Sequence, residues 1–195
     1  MPETNSPIVG VLLAAGRGAR FGGNKLLAPW RDDTVIAVAT ARHLIDALPD
    51  SVAVLRPGDE ILASLLAAEG LRIVVNPNAD DGMGGSLACG VAATEADGWV
   101  IALADMPAIR LETIAAVAQA LAAGAPLAAP VYHGQRGHPI GFARRFRQDL
   151  MSLRGDRGGR DILARYGNEL RQIDVNDPGV LYDVDRVADL VIAEH

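Results

Sequence analysis

"IVGVLLAAGRGARFGGNKLL", residues 8–27, begins as an apolar run and then breaks into glycines set among Arg17, Arg20 and Lys25. The stretch Ile8 to Ala15 carries no polar alternation, which is the pattern of a strand buried on both faces and so of the middle of a parallel sheet. Downstream, Val35, Val38, Ala41, Ile45 and Leu48 recur at three- and four-residue steps, one buried helical stripe stopped by Pro49 and Asp50. The alternation then repeats. Ser51 to Leu55 reads as strand, Asp59 to Glu69 as helix stopped by Gly70, and Leu71 to Val75 as strand ended by "NPN". Leu87 to Ala96 reads as helix, "GWVIALAD" (98–105) as strand and Arg110 to Ala123 as helix, with Pro126 to Tyr132 and "GHPIGFA" (137–143) extended. The last quarter reads as helices around 144–153 and 159–166, a strand at 170–175 and a final helix from Arg186. Strands alternating with helices predict a three-layer α/β/α sandwich around a mostly parallel, mixed sheet.

The bulk properties narrow the function classes. With 195 residues, half of them apolar, the chain is expected to form one domain over residues 1–195. Its formal net charge of −6 argues against a protein built to hold a nucleic-acid backbone, which needs many Lys and Arg contacts. Cys89 is the single cysteine, so no internal disulfide or Cys-rich zinc site forms, and a reducing, cytoplasmic location is expected. Charge, Gly or Pro interrupts every apolar stretch well before a membrane-spanning length of about 18 residues. Cys89 itself reads as packing within a helix.

In a parallel α/β sheet, ligands bind beyond the carboxyl ends of the strands. "GRGARFGGNK" follows the first strand, "NPNADDGMGGS" the third and "DMP" the fourth, so three loops of special composition share one rim. The first loop fails both familiar phosphate signatures. A G-x-G-x-x-G fingerprint starting at Gly16 needs glycine at Phe21, and a Walker A loop needs glycine directly before Lys25, where Asn24 stands. The shared physics survives, because glycines let backbone N–H groups approach an anion and nearby cations neutralise it. The competing reading is a solvated Gly-rich turn. Asp105 likewise has two readings: a turn former or helix cap, or, beside a polyphosphate, a ligand for Mg²⁺.

These segments together resemble the MobA-like nucleotidyltransferases, and among them the molybdenum cofactor cytidylyltransferases. The resemblance rests on L-A-A-G-x-x-x-R with a downstream K-L-L (Leu13 to Gly16, Arg20, Lys25 to Leu27) and G-M-x-x-S-L (Gly82 to Leu87). It continues with A-D-M-P (Ala104 to Pro107), G-x-x-G-H-P (Gly134 to Pro139), G-D-x-G-x-R (Gly155 to Arg160) and D-x-D (Asp183 to Asp185), in the expected order. Two departures stand out: Asn24 where many relatives carry Asp, and Arg186-Val187 where they carry Thr-Pro after D-x-D.

The resemblance implies a Rossmann-like, GT-A-like nucleotidyltransferase fold and transfer of CMP from CTP to the terminal phosphate of molybdopterin, with pyrophosphate leaving. Such a nucleophile is already ionised, so catalysis becomes positioning plus charge stabilisation. Arg20 and Lys25 are expected on the leaving phosphates, with Leu13, Ala14, Ala15, Gly16, Arg17, Gly18, Lys25, Gly84, Ser86 and Leu87 binding the nucleotide. Asp105 is expected to hold Mg²⁺, or Mn²⁺ in its place. Asp183 and Asp185 share a face if their segment is extended, so spacing cannot choose between them; Asp183 is preferred as ligand, with Asp185 as cap of the last helix or weaker ligand. Ser86 also has the composition of an N-cap. His138, Asp156 and Arg160 are expected to contact the acceptor, and His138 with His133 has no metal-site spacing. The implied partners are a nucleoside triphosphate, a molybdopterin-type acceptor and a molybdoenzyme or its maturation factor, with no nucleic acid or membrane. The alternatives are the same chemistry with GTP or on a sugar or polyol phosphate, and a nucleotide-sensing or cofactor-handling protein without turnover.

Overall fold

The computed structural model describes residues 7–16, 21, 24–31 and 33–192. Among these, the chain runs β1 (Ile8–Leu13), α1 (Ile36–Ala47), β2 (Val52–Leu55), α2 (Glu60–Ala68), β3 (Arg72–Val75), α3 (Met83–Ala92), β4 (Gly98–Leu103) and α4 (Leu111–Ala122). It continues through β5 (Leu127–Tyr132), β6 (Gln135–Arg136), β7 (Ile140–Ala143), α5 (Arg147–Met151), α6 (Arg160–Tyr166), β8 (Leu170–Asp174) and α7 (Asp189–Ile192).

The sheet order is β3-β2-β1-β4-β7-β5, with β6 and β8 both pairing to β5. Strands β1 to β4 are parallel, and β1 is central, pairing with β2 from Val11 and with β4 along its whole length. That is the environment its unbroken apolar sequence requires. β7 runs antiparallel to both β4 and β5, and β8 is parallel to β5, so the sheet is mixed. His133 and Gly134, both at positive φ, turn β5 into β6, the backbone a two-residue hairpin demands.

Side chains alternating along β1 feed two cores. Leu12 and Ala14 pack under α1, α2 and α4, whereas Val9, Val11 and Leu13 pack under α3, α5 and α6. The three-layer expectation therefore holds. α3 lies very close to the sheet because Gly90 has no side chain; a β-carbon there would stand 2.6 Å from Val11 and 2.9 Å from Val54.

Three of the boundaries that differ from the sequence reading bear on the site. The strand expected to end at Asp105 ends at Leu103, leaving Asp105 in the following turn. The helix expected from Leu87 starts at Met83, because Gly82 at φ 107° turns the chain into it and Gly84 packs directly on the 154–155 backbone. Ser86 is therefore inside the helix and is not an N-cap. The last helix starts at Asp189 rather than Arg186, and the Asp189 carboxylate reaches back to accept from the backbone N–H groups of Asp185 and Arg186, at 2.9 and 2.8 Å.

Candidate functional site

Lys25 begins a single 3-10 turn, Lys25–Leu27, and its residue is buried at 9% exposure. Its ammonium donates to Asp105 Oδ2 at 2.7 Å and to Asp185 Oδ1 at 3.0 Å. Burial works to lower the Lys25 pKa, but hydrogen bonds and charge from Asp105 and Asp185 outweigh it and hold the pKa above its ordinary value. The lysine stays charged.

Backbone contacts bring the carboxylates there. The Ala104 N–H donates to the Leu13 carbonyl at 3.1 Å, fixing the turn that carries Asp105 against the end of β1. The segment after β8 is held on three sides. The His138 N–H donates to the Val180 carbonyl and the Val184 N–H to the Asp105 carbonyl, each at 2.9 Å. Gly137 and Gly179 admit this approach: a β-carbon on the first would strike Val180, and one on the second would strike the Ala108 carbonyl. Asp177, 2% exposed, accepts from Gly179 N, Arg110 N and Thr113 Oγ1 and ties the segment to the start of α4.

Asp105, Asp183 and Asp185 thereby offer ligand oxygens that all lie within 4.8 Å of one another. Three carboxylates are a hard-oxygen donor set of the type that suits Mg²⁺ or Mn²⁺, and an ammonium already bridges two of them. The residues fit a divalent cation. Desolvation of its carboxyl, reinforced by the charges of Asp185 and Asp105, holds the Asp183 pKa above the usual aspartate value, although the residue as a whole is exposed. Both expected aspartates thus join the cluster, and it is Asp185 that bonds Lys25.

Beside this cluster opens a cleft of about 550 Å³, within the range of small-molecule sites. Of the expected residues, Leu13, Ala15, Gly16, Lys25, Ser86, Asp105 and Asp156 line it. Ala14 and Leu87 are in the cores below, and Gly84 is buried against the 154–155 turn. Arg17, Gly18 and Arg20 lie outside the described residues. Arg160 is exposed. His138 is largely buried with Nδ1 lacking a hydrogen-bond partner among the described residues. Burial, together with the positive charges of Arg136 and Arg160 and against the pull of Asp105, keeps its pKa below 6.5.

The sequence reading missed two groups. Arg56, just past β2, lines the cleft and donates to Asp80. Asn76, just past β3 and 5% exposed, donates through Nδ2 to Ser86 Oγ at 3.1 Å, while its Oδ1 accepts from the Asn78 N–H at 3.0 Å. Because Nδ2 is the donor, the Ser86 proton points elsewhere. "NPN" signalled only a turn; the β3 end on which it sits was the available clue.

The cleft lies at the carboxyl ends of a parallel sheet, is lined by Gly16 and Gly82, and is bordered by a lysine within an aspartate cluster, a set of groups whose chemistry suits a metal-bound polyphosphate. Residues 10–170 match the MobA-like NTP transferase domain family, and the chain belongs to it. It is 32% identical to the nicotine blue oxidoreductase of Paenarthrobacter nicotinovorans, a match covering 96% of this chain and 97% of that protein. It is 29% identical to the purine catabolism protein PucB of Bacillus subtilis (strain 168), covering 91% of each. Among solved structures, Rv0371c of Mycobacterium tuberculosis H37Rv aligns with a TM-score of 0.84 at 29% identity, over 97% of this chain and 98% of that one. Rv0371c has also been solved in complex with manganese, a structure that aligns at 0.78 over 94% of this chain and 96% of that one.

Proposed function

We propose that the protein is a divalent-metal-dependent nucleotidyltransferase that moves CMP from CTP to the terminal phosphate of a molybdopterin-type acceptor and releases pyrophosphate. The observation that carries this reading is the Lys25 ammonium held 2.7 Å from Asp105 and 3.0 Å from Asp185 at the edge of the glycine-lined cleft. Membership of the MobA-like family and the manganese complex of Rv0371c support it.

Asp105, Asp183 and Asp185 would hold the metal, which supplies positive charge to the reacting phosphates. Lys25 neutralises the leaving pyrophosphate, with the amide of Gly16 beside it. Arg17, Gly18 and Arg20 are assigned to the same clamp. Ala15 and Ser86 face the base, and Asn76 fixes the Ser86 hydroxyl as a donor towards it. His138, Asp156 and Arg160 are assigned to the acceptor, joined by Arg136, whose charge reaches His138. The nucleophile is a phosphate already ionised at neutral pH, so no side chain need deprotonate it. No helix among the described residues is long and apolar enough to cross a membrane, and we place the protein in the cytoplasm.

The oxidoreductase name of the 32% identical relative favours a second reading, a redox enzyme that uses the same cleft for a nucleotide cofactor. Pyrophosphate release is measured from CTP, GTP, ATP and UTP with Mg²⁺ or Mn²⁺, with and without molybdopterin, and with a sugar phosphate in its place. Oxidation of NADH and NADPH is followed in parallel. Pyrophosphate release with CTP that depends on molybdopterin is expected. Release with GTP or a sugar phosphate instead would reassign base or acceptor. Nicotinamide oxidation without pyrophosphate release would favour the redox reading, and nucleotide binding without either would leave a sensing or cofactor-handling role.

A further inference from the structure

The three segments that carry Lys25, Asp105 and Asp183 also build a second cavity of about 590 Å³, on the α1 and α4 side of the same rim. Its walls include Trp30, Arg31, His43, Pro107, Arg110 and Tyr182. Pro107 follows Asp105 by two residues across a buried turn. Tyr182 directly precedes Asp183 in extended backbone, with φ −111° and ψ 106° at Tyr182, so the two side chains leave opposite sides of the segment. One faces the cavity and the other faces the aspartate cluster.

The chemistry of this cavity is distinctive for so acidic a chain. The protein has two tryptophans. Trp99 is 0% exposed, with its indole N–H on Thr94 Oγ1 at 2.8 Å. Trp30 is only partly buried and lines the cavity. The Arg31 guanidinium stands 5.5 Å from the centroid of that ring, a cation-π arrangement. Arg110 has its backbone N–H tied to Asp177 and one terminal nitrogen on the Asn176 carbonyl at 3.0 Å, which uses few of the five donors of a guanidinium. Arg42 also lines the cavity but is engaged bidentately by Glu69. The Asp177 carboxylate is consumed by its three structural hydrogen bonds. His43 Nδ1 is 2.8 Å from the Ile109 carbonyl and must donate to it, which leaves Nε2 as an acceptor in the neutral ring.

We propose that this cavity is a second ligand site, distinct from the catalytic cleft, that takes a planar aromatic molecule bearing a carboxylate or phosphate. Trp30 stacks on the ring, Arg31 and Arg110 hold the anionic group, and His43 accepts from a ring N–H or O–H. The site stands whatever reaction the cleft performs.

Trp30 provides its own probe. Full-length protein is titrated with 2-naphthoate, phenyl phosphate, the neutral 2-naphthalenemethanol and inorganic phosphate while tryptophan emission is followed. A saturable change is expected with one or both aromatic anions, and none of comparable midpoint with the neutral ring or inorganic phosphate. Trp30→Phe should abolish the signal, while probe binding followed by calorimetry persists with weakened affinity. Arg31→Ala, at an exposed position, and Arg110→Ala should each weaken binding by about 10-fold or more, the loss of a charge-assisted contact. Lys25→Met should leave the probe midpoint unchanged. Absence of saturation with both anions overturns the proposal, as does equal affinity for the neutral ring. A midpoint that moves with Lys25→Met but not with Arg31→Ala or Arg110→Ala would put the probe in the catalytic cleft and overturn it equally.

Discussion

Replacing Lys25 by methionine keeps the buried stem and removes only the ammonium, so it isolates the charge that Asp105 and Asp185 share. At 2.7 and 3.0 Å, each contact carries a Coulomb attraction on the order of 5 kcal/mol at an effective dielectric of about 20. Desolvation of the lysine and screening of the aspartates, whose side chains are 23% and 41% exposed, reduce the net stabilisation to about 1–2 kcal/mol. Lys25→Met should therefore melt earlier in the presence of a chelator. The same substitution removes the cation that competes with a metal for these oxygens. Thermal melts across a Mn²⁺ titration should place the stabilisation midpoint about 10-fold lower than in the unsubstituted protein, about 1.4 kcal/mol in metal affinity. Turnover, read as pyrophosphate release, should fall by about 10²–10³ because a positioned charge on the leaving group is gone. An unchanged or higher Mn²⁺ midpoint would refute the shared-carboxylate reasoning, and an unchanged rate would remove Lys25 from the leaving phosphates.

Asp105→Ala should retain the fold by circular dichroism and lose nearly all turnover; survival of more than about a tenth of the activity would show that the metal is held elsewhere. Asn76→Ala should raise the nucleotide KM more than it lowers kcat, and cost about 1–3 kcal/mol in a urea melt because the buried Ser86 hydroxyl loses its partner. Equal effects on KM and kcat would make Asn76 a purely structural residue. Gly179→Ala should be destabilised by about 1–3 kcal/mol or more, since its β-carbon meets the Ala108 backbone rather than a movable side chain; a wild-type melt would mean that the 178–185 segment shifts freely.

The central sheet was legible because its information is local. Val9 to Leu13 is apolar at every position, and only a strand covered on both faces accepts that. Asp105 was legible for a related reason, as a carboxylate next to a run with no other charge. The start of α3 was not. Gly84 and Gly85 carry a helix cost of about 1 kcal/mol each and read as loop, yet Gly84 is there because the 154–155 backbone, seventy residues on, passes against it. The antiparallel β7 inserted between β4 and β5 was equally hidden, since its partners are chosen by long-range pairing. The part played by Asp189 was hidden as well: its carboxylate accepts from the backbone N–H groups of Asp185 and Arg186, while the Asp185 side chain bonds Lys25.

The segment bearing those aspartates is fastened by main-chain atoms: His138 N–H on Val180, Val184 N–H on Asp105, and the flat faces of Gly137 and Gly179. Anchorage of this type constrains very few side chains. Val184, 0% exposed, and Gly179 are committed, whereas Leu181, Arg186 and Val187 project from the fold. Replacement at these exposed positions leaves the main-chain anchorage in place. In a saturation library this stretch should tolerate replacement at 181, 186 and 187 while rejecting it at 179 and 184, so that its tolerance of substitution is written in the backbone.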